Sequence, residues 1–369
     1  MGPFPHDAAP PTINDANPMG TDGFEFVEFA HPDPAALHAL FTRMGFSAVA
    51  KHRTRQVTLY RQGGINLLLN AEPGSHAARF AQAHGPCAPA MAFRVVDAKY
   101  AYERALSLGA KPVDTTHELG LPAIEGIGGL HIYLVDRYGE KGSIYDQDFE
   151  WLGEADPAPM GHGLWYIDHL THNVYRGRLA EWAGFYERLF NFRQIRYFDI
   201  NGKLTGLHSR AMTSPDGKIR IPINEDAGEQ GQIEEYLQQY RGEGIQHIAL
   251  GAYDLYEAIE SLDRQDVAFM PAPNAIYYSR VDSRLPGHGE DLERLQRTGI
   301  LIDGEGVVEG GYTKVLLQRF SQTVIGPIFF EFIQRKGDEG FGEGNFKALF
   351  ESIEEDQIQR GVLQVGSDA

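Results

Sequence analysis

The sequence predicts an α+β protein built from two similar halves, each a pair of β-α-β-β-β modules. Each half opens with an apolar strand and an amphipathic helix, FEFVEFAHPDPAALHALFTRMGF and WYIDHLTHNVYRGRLAEWAGFYERLFNF. Each half then repeats a strand–helix unit, and APAMAFRVVDAKYAYERALSLGAKPV aligns without a gap on IQHIALGAYDLYEAIESLDRQDVAFM from Ala88 and Ile245. Self-similarity of this kind indicates an internal duplication, and short strands around one helix per unit favour a sheet that encloses a pocket.

A Pro-, Gly- and acid-rich stretch, EWLGEADPAPMGHG, separates the two halves and lacks apolar periodicity. We predict a flexible, Pro-rich arm over residues 1–20, a first domain over 21–150, a linker over 151–163 and a second domain over 164–369. Both domains fall in the usual size range for a unit with its own core.

Composition narrows the class of protein. The 33 Lys and Arg against 51 Asp and Glu give a net charge of −18, which repels nucleic acid and anionic membranes. The sequence has no apolar run of about 18 residues and no secretory signal at its N-terminus. Cys87 is the only cysteine, which excludes an intrachain disulfide and a multi-thiolate metal site. We expect a cytoplasmic protein with a small-molecule partner, without nucleic acid or membrane.

A carboxylate interrupts an apolar strand near the C-terminus. Glu331 stands in GPIFFEFIQRKG, between Phe330 and Phe332. An unpaired buried carboxylate is costly, so it protonates, finds a partner or binds a metal. Strand side chains alternate, so Phe329, Glu331 and Ile333 are predicted to share one face.

Two histidines stand in similar apolar strands of the same half. His169 lies in WYIDHLTHNV and His247 in GIQHIAL. Two histidines and one carboxylate on sheet strands have the composition of the facial triad that holds non-haem Fe(II). Three ligands on one face leave three coordination positions open for substrate and dioxygen.

Each of these residues also has a structural interpretation. A lone His in a strand is often a hydrogen-bonded core residue, and the chain has 14 His. His172 competes with His169, although its odd offset predicts the opposite face. Glu331 could form a buried ion pair with Arg335 or Arg319. The three residues together, all in equivalent strands of one half, favour a metal site.

The internal repeat predicts which residues correspond to the triad in the first half. Our alignment puts Phe29, Ala90 and Gln147 at the positions of His169, His247 and Glu331, with a closing strand around GSIYDQDF. The first half is therefore expected to lack metal ligands, which predicts one metal site per chain.

At these residues the sequence resembles the 4-hydroxyphenylpyruvate dioxygenases. The motifs IDHLTHNV, GIQHIAL, FFEFIQRKG and GFGEGNFKALFESIE carry the resemblance, which covers the second half and extends more weakly through the first. The resemblance implies two vicinal-oxygen-chelate (glyoxalase/bleomycin-resistance-like) domains, each forming an open barrel around a pocket. It implies conversion of 4-hydroxyphenylpyruvate and O2 to homogentisate and CO2 in tyrosine catabolism. It also implies Fe(II) held by His169, His247 and Glu331, and a homodimer or homotetramer.

The resemblance also implies a substrate pocket. Its aromatic residues are Phe320, Phe329, Phe341 and Phe346, and its polar residues are Ser209, Asn224, Gln232, Gln246 and Gln318. Gln246 neighbours His247, so simple alternation turns its side chain away from the metal. Arg319 stands where an aliphatic residue is more usual, and we expect it to affect only an outer surface.

The tail GFGEGNFKALFESIEEDQIQRG predicts a C-terminal helix. Asn345 is a suitable N-cap, and Phe346, Leu349, Phe350 and Ile353 form a helical stripe. The helix either docks on the surface or acts as a gate, with Phe341 and Phe346 over the pocket and the glycines as a hinge. The resemblance favours the gate.

Two rival functions are open. A 4-hydroxymandelate synthase would share fold, triad and substrate but hydroxylate the benzylic carbon, and the large Phe320 favours ring hydroxylation instead. A non-catalytic ligand-binding protein of the same fold would have no reason to keep the triad. A structural zinc site is disfavoured because such sites are usually four-coordinate and rich in thiolates.

Overall fold

The computed structural model describes residues 8, 10–153, 156–201, 204–228, 231–305 and 313–342, together with 344–345, 347, 353–354, 357–358, 360–361 and 363. This part of the chain forms two eight-stranded mixed sheets, one from each half of the sequence. No helix within it is long and apolar enough to cross a membrane.

The first half contributes eight strands and four helices. Its strands are β1 Thr21–Ala30, β2 Ser47–His52, β3 Val57–Gln62, β4 Ile65–Asn70, β5 Cys87–Val95, β6 Ala123–Glu125, β7 His131–Val135 and β8 Phe149–Trp151. Its helices are α1 Pro34–Arg43, α2 His76–His84, α3 Ala98–Ser107 and α4 Ile144–Asp148.

The second half contributes eight strands and six helices among the described residues. Its strands are β9 Leu164–Asn173, β10 Arg193–Asn201, β11 Gly206–Thr213, β12 Arg220–Asp226, β13 Gly244–Ala252, β14 Leu301–Glu305, β15 Lys314–Phe320 and β16 Phe329–Lys336. Its helices are α5 Leu179–Phe190, α6 Gln232–Tyr240, α7 Leu255–Arg264, α8 Ala275–Ser279, α9 Val281–Arg284 and α10 Leu292–Thr298.

Seven strands follow the same order in the two sheets, from β2 to β6 in the first and from β10 to β15 in the second, whereas β8 at the edge of the first sheet, beside β2, has no counterpart. The first runs β6-β7-β5-β1-β4-β3-β2-β8, and the second runs β10-β11-β12-β9-β13-β16-β15-β14. In both, the two central strands are antiparallel and each has a parallel outer neighbour, β4 and β7 in the first sheet, β12 and β16 in the second. The predicted duplication and its β-α-β-β-β modules are confirmed, with one reduction. In the second module of the first half, the strand that would correspond to β14 is reduced to a single bridge, between Pro112 and Ile124.

Apolar side chains join the two sheets and their helices. Helix α5 buries Leu179, Ala183 and Leu189 along one face and ends at Asn191 in the left-handed conformation. Rings also touch across the two halves. Phe29 lies 6.3 Å from Phe330 between ring centroids. The two sheets therefore share one continuous core in addition to the interior of each.

The predicted counterparts of the triad in the first half are wrong at two of three positions. Strand pairing matches Ala92 to both Phe26 and Tyr133, as Ala249 is matched to His169 and Glu331. Phe26, Ala90 and Tyr133 therefore correspond to the triad. The rings of Phe26 and Tyr133 lie 5.6 Å apart, so aromatic packing fills the equivalent space.

The errors have local causes. Gln147 lies in helix α4 rather than in the closing strand that GSIYDQDF predicts. Ser143 caps this helix by accepting a hydrogen bond from the N–H of Tyr145, which turns the chain out of the sheet. The choice of Phe29 instead of Phe26 arises because the apolar residues of FEFVEF allow either alignment on β9, and only the strand pairing distinguishes them.

Candidate metal centre and substrate pocket

Three adjacent strands bring two histidines and a glutamate to one face of the second sheet. Strand β13 lies between β9 and β16, and Ala249 on β13 pairs with His169 on one side and Glu331 on the other. His247 lies two residues before Ala249 and so faces the same way. The strand register alone therefore gathers the three side chains around Ala249.

The donor atoms of these residues converge on one point. Nε2 of His169 lies 3.3 Å from Nε2 of His247 and 3.1 Å from Oε2 of Glu331. Nε2 of His247 lies 3.3 Å from Oε2 of Glu331. At most 5% of each residue is exposed. Among the described residues this is the cluster of His, Cys, Asp and Glu side chains that could hold a metal ion.

In both histidines, the ring nitrogen that is not part of the cluster, Nδ1, is hydrogen-bonded to a polar side chain. Nδ1 of His169 lies 2.8 Å from Oδ1 of Asp168, and Nδ1 of His247 lies 3.0 Å from Oε1 of Gln246. Because both oxygens are acceptors, each Nδ1 donates, which leaves Nε2 of a neutral ring with a free lone pair. The three converging atoms are then all acceptors.

Two β-bulges explain how these partners reach the histidines. Between β9 and β13, Ala249 pairs with His169 but Leu250 pairs with Ile167, so Asp168 is the extra residue of a bulge. In the same way Ile245 pairs with His172 and His247 with Thr171, so Gln246 is the extra residue of a second bulge. Bulges redirect side chains next to functional sites. Simple alternation, which turns Gln246 away, therefore fails at both positions.

The carboxylate of Glu331 is ionised despite complete burial. Burial by itself raises its pKa, but the charges and hydrogen bonds of His169 and His247 outweigh it and bring the pKa to about 2. Gln318 adds a hydrogen bond from Nε2 to Oε1 of Glu331 at 2.7 Å. Burial lowers the pKa of His247. Burial acts on His169 in the same direction, but the charge of Glu331 and the hydrogen bonds of Asp168 and Glu331 outweigh it and raise the pKa of His169. The site thus favours an anionic carboxylate beside a neutral His247, and a bound metal ion would displace the proton of His169.

A closed cavity lies over the three donors. It is lined by the triad together with Thr171, Phe198, Ser209, Pro222, Asn224, Gln318, Phe320 and Phe341. Its free volume is about 30 Å³, room for only one or two waters. The ring of Phe341 stands edge-on to His169 with centroids 5.5 Å apart. Phe341 therefore forms part of the roof over the donors.

Three buried oxygens of this cavity lack a partner in the described part of the chain: Ser209 Oγ, Asn224 Oδ1 and Thr171 Oγ1. They come from the adjacent strands β11, β12 and β9, and none of these residues is more than 1% exposed. Buried polar atoms are nearly always hydrogen-bonded in a folded protein. This wall of the cavity is therefore suited to a polar group of a ligand.

Three of the other predicted pocket residues do not line this cavity. Gln232, Gln246 and Phe329 line a neighbouring cleft, on the side of helix α6. Phe329 still contacts the triad, because its ring stacks on His247 at 4.8 Å. Phe346 and most of the predicted C-terminal helix lie outside the described residues.

One expectation about an arginine is wrong, and one alternative partner of Glu331 is not supported. Arg319 is only 7% exposed, and its guanidinium lies over the ring of Phe269 at 5.0 Å, so it belongs to the interior. Arg335 pairs with Asp168, at 2.7 Å between Nε and Oδ2, rather than with Glu331. His172 lies against helix α5, with its Nδ1 3.4 Å from the hydroxyl of Tyr186.

Sequence reasoning missed Thr171, Pro222 and Asp168. Alternation was a usable signal for the first two, because Thr171 lies two residues from His169 and Pro222 two residues from Asn224. Asp168 had no such signal, since its position depends on the bulge.

Family comparisons agree with this architecture. Residues 16–150 match the model described as hydroxyphenylpyruvate dioxygenase, N-terminal, and residues 166–289 match the glyoxalase/bleomycin resistance protein/dioxygenase superfamily. A solved structure of a triple mutant of 4-hydroxymandelate synthase from Streptomyces coelicolor has a TM-score of 0.77 at 24% identity and covers 91% of this chain and 99% of its own. The fold is therefore that of the vicinal-oxygen-chelate proteins, present twice.

Curated relatives are closer in sequence. The 4-hydroxyphenylpyruvate dioxygenase of Pseudomonas sp. (strain P.J. 874) is 59% identical over 94% of this chain and 98% of its own. Hemolysin VllY of Vibrio vulnificus (strain CMCP6) is 57% identical over 95% and 99%. The chain belongs to the 4-hydroxyphenylpyruvate dioxygenase family, and it is an enzyme of that family.

Replacing Glu331 by Gln tests the triad, because the change removes the charge and barely alters the shape. We expect the affinity for Fe(II) or Co(II), measured by anaerobic titration calorimetry, to fall by at least about 100-fold, the upper end of the loss for an outer partner. His172→Gln is the control, since His172 lies on the same strand as His169 but packs against Tyr186. Equal affinity of Glu331→Gln and wild type would remove Glu331 from the ligand set.

Proposed function

We propose that the chain is an Fe(II)-dependent dioxygenase that converts 4-hydroxyphenylpyruvate and O2 to homogentisate and CO2. Its place would be the cytoplasmic catabolism of tyrosine and phenylalanine. The convergence of His169, His247 and Glu331 in a closed cavity is the observation that carries the proposal. Membership of the 4-hydroxyphenylpyruvate dioxygenase family supports the choice of substrate.

The donor set fits a ferrous ion. Ligands at right angles around an ion at about 2.1 Å are about 3.0 Å apart, close to the 3.1–3.3 Å between the three donors. Two imidazoles and one carboxylate with open positions are typical of non-haem Fe(II) oxygenases. The buried Cys87 lies in the first sheet on β5, so a thiolate-rich zinc site finds no support. Bound Fe(II) would supply the redox chemistry that dioxygen and a chelating 2-oxo acid require.

The protein would orient this centre and exclude water. Asp168, Gln246 and Gln318 fix the three donor groups from behind, so that they need little reorganisation when the ion binds. Phe320 and Phe341 wall the cavity with apolar rings. A dry site protects reactive species from side reactions with solvent.

Substrate entry requires part of the cavity wall to move. A free volume of about 30 Å³ does not admit an arylpyruvate. Phe341 follows β16 and is 8% exposed, and it is the residue of the predicted gate that lines the cavity. We therefore propose that Phe341 forms part of a gate and is displaced when the substrate enters.

The unpartnered oxygens of Ser209, Asn224 and Thr171 give the proposed specificity. A substrate hydroxyl at this wall would satisfy them, whereas phenylpyruvate would leave them unpaired in a dry site. We thus assign this wall to the 4-hydroxyl group of the substrate.

Substitution of Ser209 tests this assignment. In Ser209→Ala the preference for 4-hydroxyphenylpyruvate over phenylpyruvate, measured as the ratio of kcat/KM values, should fall about 10-fold, because one hydrogen bond is lost from the preferred substrate only. Ser214→Ala is the control, since the Ser214 hydroxyl already accepts from the N–H of Ile219 at 2.9 Å. An unchanged ratio in Ser209→Ala would assign the hydroxyl group to another part of the cavity.

A homodimer or homotetramer is also proposed, on the family resemblance. Native mass spectrometry should then give a multiple of the 41.1 kDa chain. A single species at the mass of one chain would contradict this assembly.

The reaction itself is tested by product analysis. The protein is loaded anaerobically with Fe(II) and mixed with 4-hydroxyphenylpyruvate and O2. The products are then separated by chromatography and identified by mass spectrometry. We expect homogentisate and an equimolar amount of CO2. Formation of 4-hydroxymandelate would identify the rival synthase, which Phe320 disfavours, and binding without turnover would identify a ligand-binding protein.

A further inference from the structure

Asp168 is a buried carboxylate that lies between His169 and Arg335, and its Oδ2 also accepts from the hydroxyl of Tyr166 at 3.1 Å. Its Oδ1 accepts from Nδ1 of His169 at 2.8 Å. Both of its oxygens also accept from Arg335, Oδ2 from Nε at 2.7 Å and Oδ1 from Nη2 at 2.8 Å. The side chains of Asp168 and Arg335 are only 2% and 1% exposed. A buried bidentate pair of this kind fixes both side chains in one orientation.

The same guanidinium also holds the chain that leads to Phe341. Nη1 of Arg335 donates to the carbonyl oxygens of Asp338 at 3.1 Å and Gly340 at 2.5 Å. We name residues 338–341 the roof segment, because Phe341 at its end lies over His169. Arg335 therefore binds the outer partner of His169 and the roof segment at the same time.

A second arginine also lies between the roof segment and Asp168. Arg220 forms an ion pair with Glu339 of the roof segment, and its Nη1 lies 3.7 Å from Oδ2 of Asp168. Gln318 makes a parallel link, since its Nε2 donates to Glu331 at 2.7 Å and lies 3.4 Å from the carbonyl oxygen of Phe341. The roof segment is thus connected to two of the three converging donor groups.

We propose that Arg335 is a positioning residue that couples closure of the roof segment to the orientation of His169, through Asp168. This inference rests on the proposed metal centre. When the roof segment moves to admit substrate, Arg335 loses two carbonyl acceptors and its hold on Asp168 loosens. By linkage, a metal ion that fixes His169 favours the closed roof segment, and the closed segment strengthens metal binding to the same extent.

Arg335→Lys tests the coupling, because Lys keeps the charge but cannot make the bidentate pair and reach both carbonyls. We expect the apparent Kd for Co(II) to rise about 10-fold or more, as for loss of other outer partners. We also expect faster amide hydrogen exchange in residues 338–342 of the metal-free protein. In wild type, Co(II) should slow this exchange, and in Arg335→Lys the slowing should be largely lost.

Arg294→Lys is the matched control. Arg294 also makes a two-bond pair with a carboxylate, to Glu260 at 3.0 and 3.1 Å, but on helix α10, remote from the metal centre in sequence and in contacts. It should leave both the Kd for Co(II) and the exchange of residues 338–342 at wild-type values. Circular dichroism on each variant shows whether it is folded.

Asp168→Asn provides an independent test should Arg335→Lys fail to fold. The substitution keeps the size of the side chain, and residue 168 lies on β9, outside the roof segment. We still expect faster amide hydrogen exchange in the roof segment, because the loss of charge at Asp168 weakens its pair with Arg335. Unchanged exchange in Asp168→Asn, or an unchanged Kd in folded Arg335→Lys, would overturn the coupling. Failure of wild type to bind one Co(II) per chain would instead overturn the proposed metal centre.

Discussion

The site depends on the convergence of three lone-pair donors in a small buried cavity. Nε2 of His169, Nε2 of His247 and Oε2 of Glu331 approach within 3.3 Å of one another, and Asp168 and Gln246 accept hydrogen bonds from Nδ1 of the two rings. When both rings are neutral these three atoms can only accept, so they repel each other at this distance, and burial strengthens the repulsion. A bound cation would remove the repulsion, so that the donors, their outer partners and the apolar roof would act as one functional unit.

The duplicated fold supplies this arrangement and also shows what the site adds to it. In the first sheet the register around Ala92 matches that around Ala249, but Phe26 and Tyr133 stand where His169 and Glu331 stand in the second. The two aromatic rings pack against each other within a cluster of apolar side chains, with the buried Glu28 near Tyr133. The same backbone therefore accepts either a hydrophobic or a polar centre, and the side chains at three positions decide between them.

Much of the second half could be predicted from its sequence because period-two alternation holds along β16 and between His247 and Ala249 of β13. That alternation put His247 and Glu331 on one face and turned His172 away from His169. It fails at Asp168 and Gln246, where bulges insert an extra residue, and it could not find the roles of these two side chains. The sequence does not show which side chains from different strands meet. Arg335 was therefore considered as a partner of Glu331, although it binds Asp168.

The first half was harder to predict, because the apolar pattern of FEFVEF tolerates alignment of either Phe26 or Phe29 on His169. Strand pairing decides in favour of Phe26. The residues around Gln147 look like a strand by composition, but a Ser cap makes them helical.

The central claim is that His169, His247 and Glu331 together hold one ferrous ion. X-ray absorption at the iron edge of the Fe(II)-loaded protein tests it most directly. We expect one iron per chain, two imidazole ligands and otherwise oxygen neighbours, with the imidazole signal reduced in His247→Ala. Sulfur in the coordination shell, or a spectrum unchanged by loss of His247, would contradict the claim.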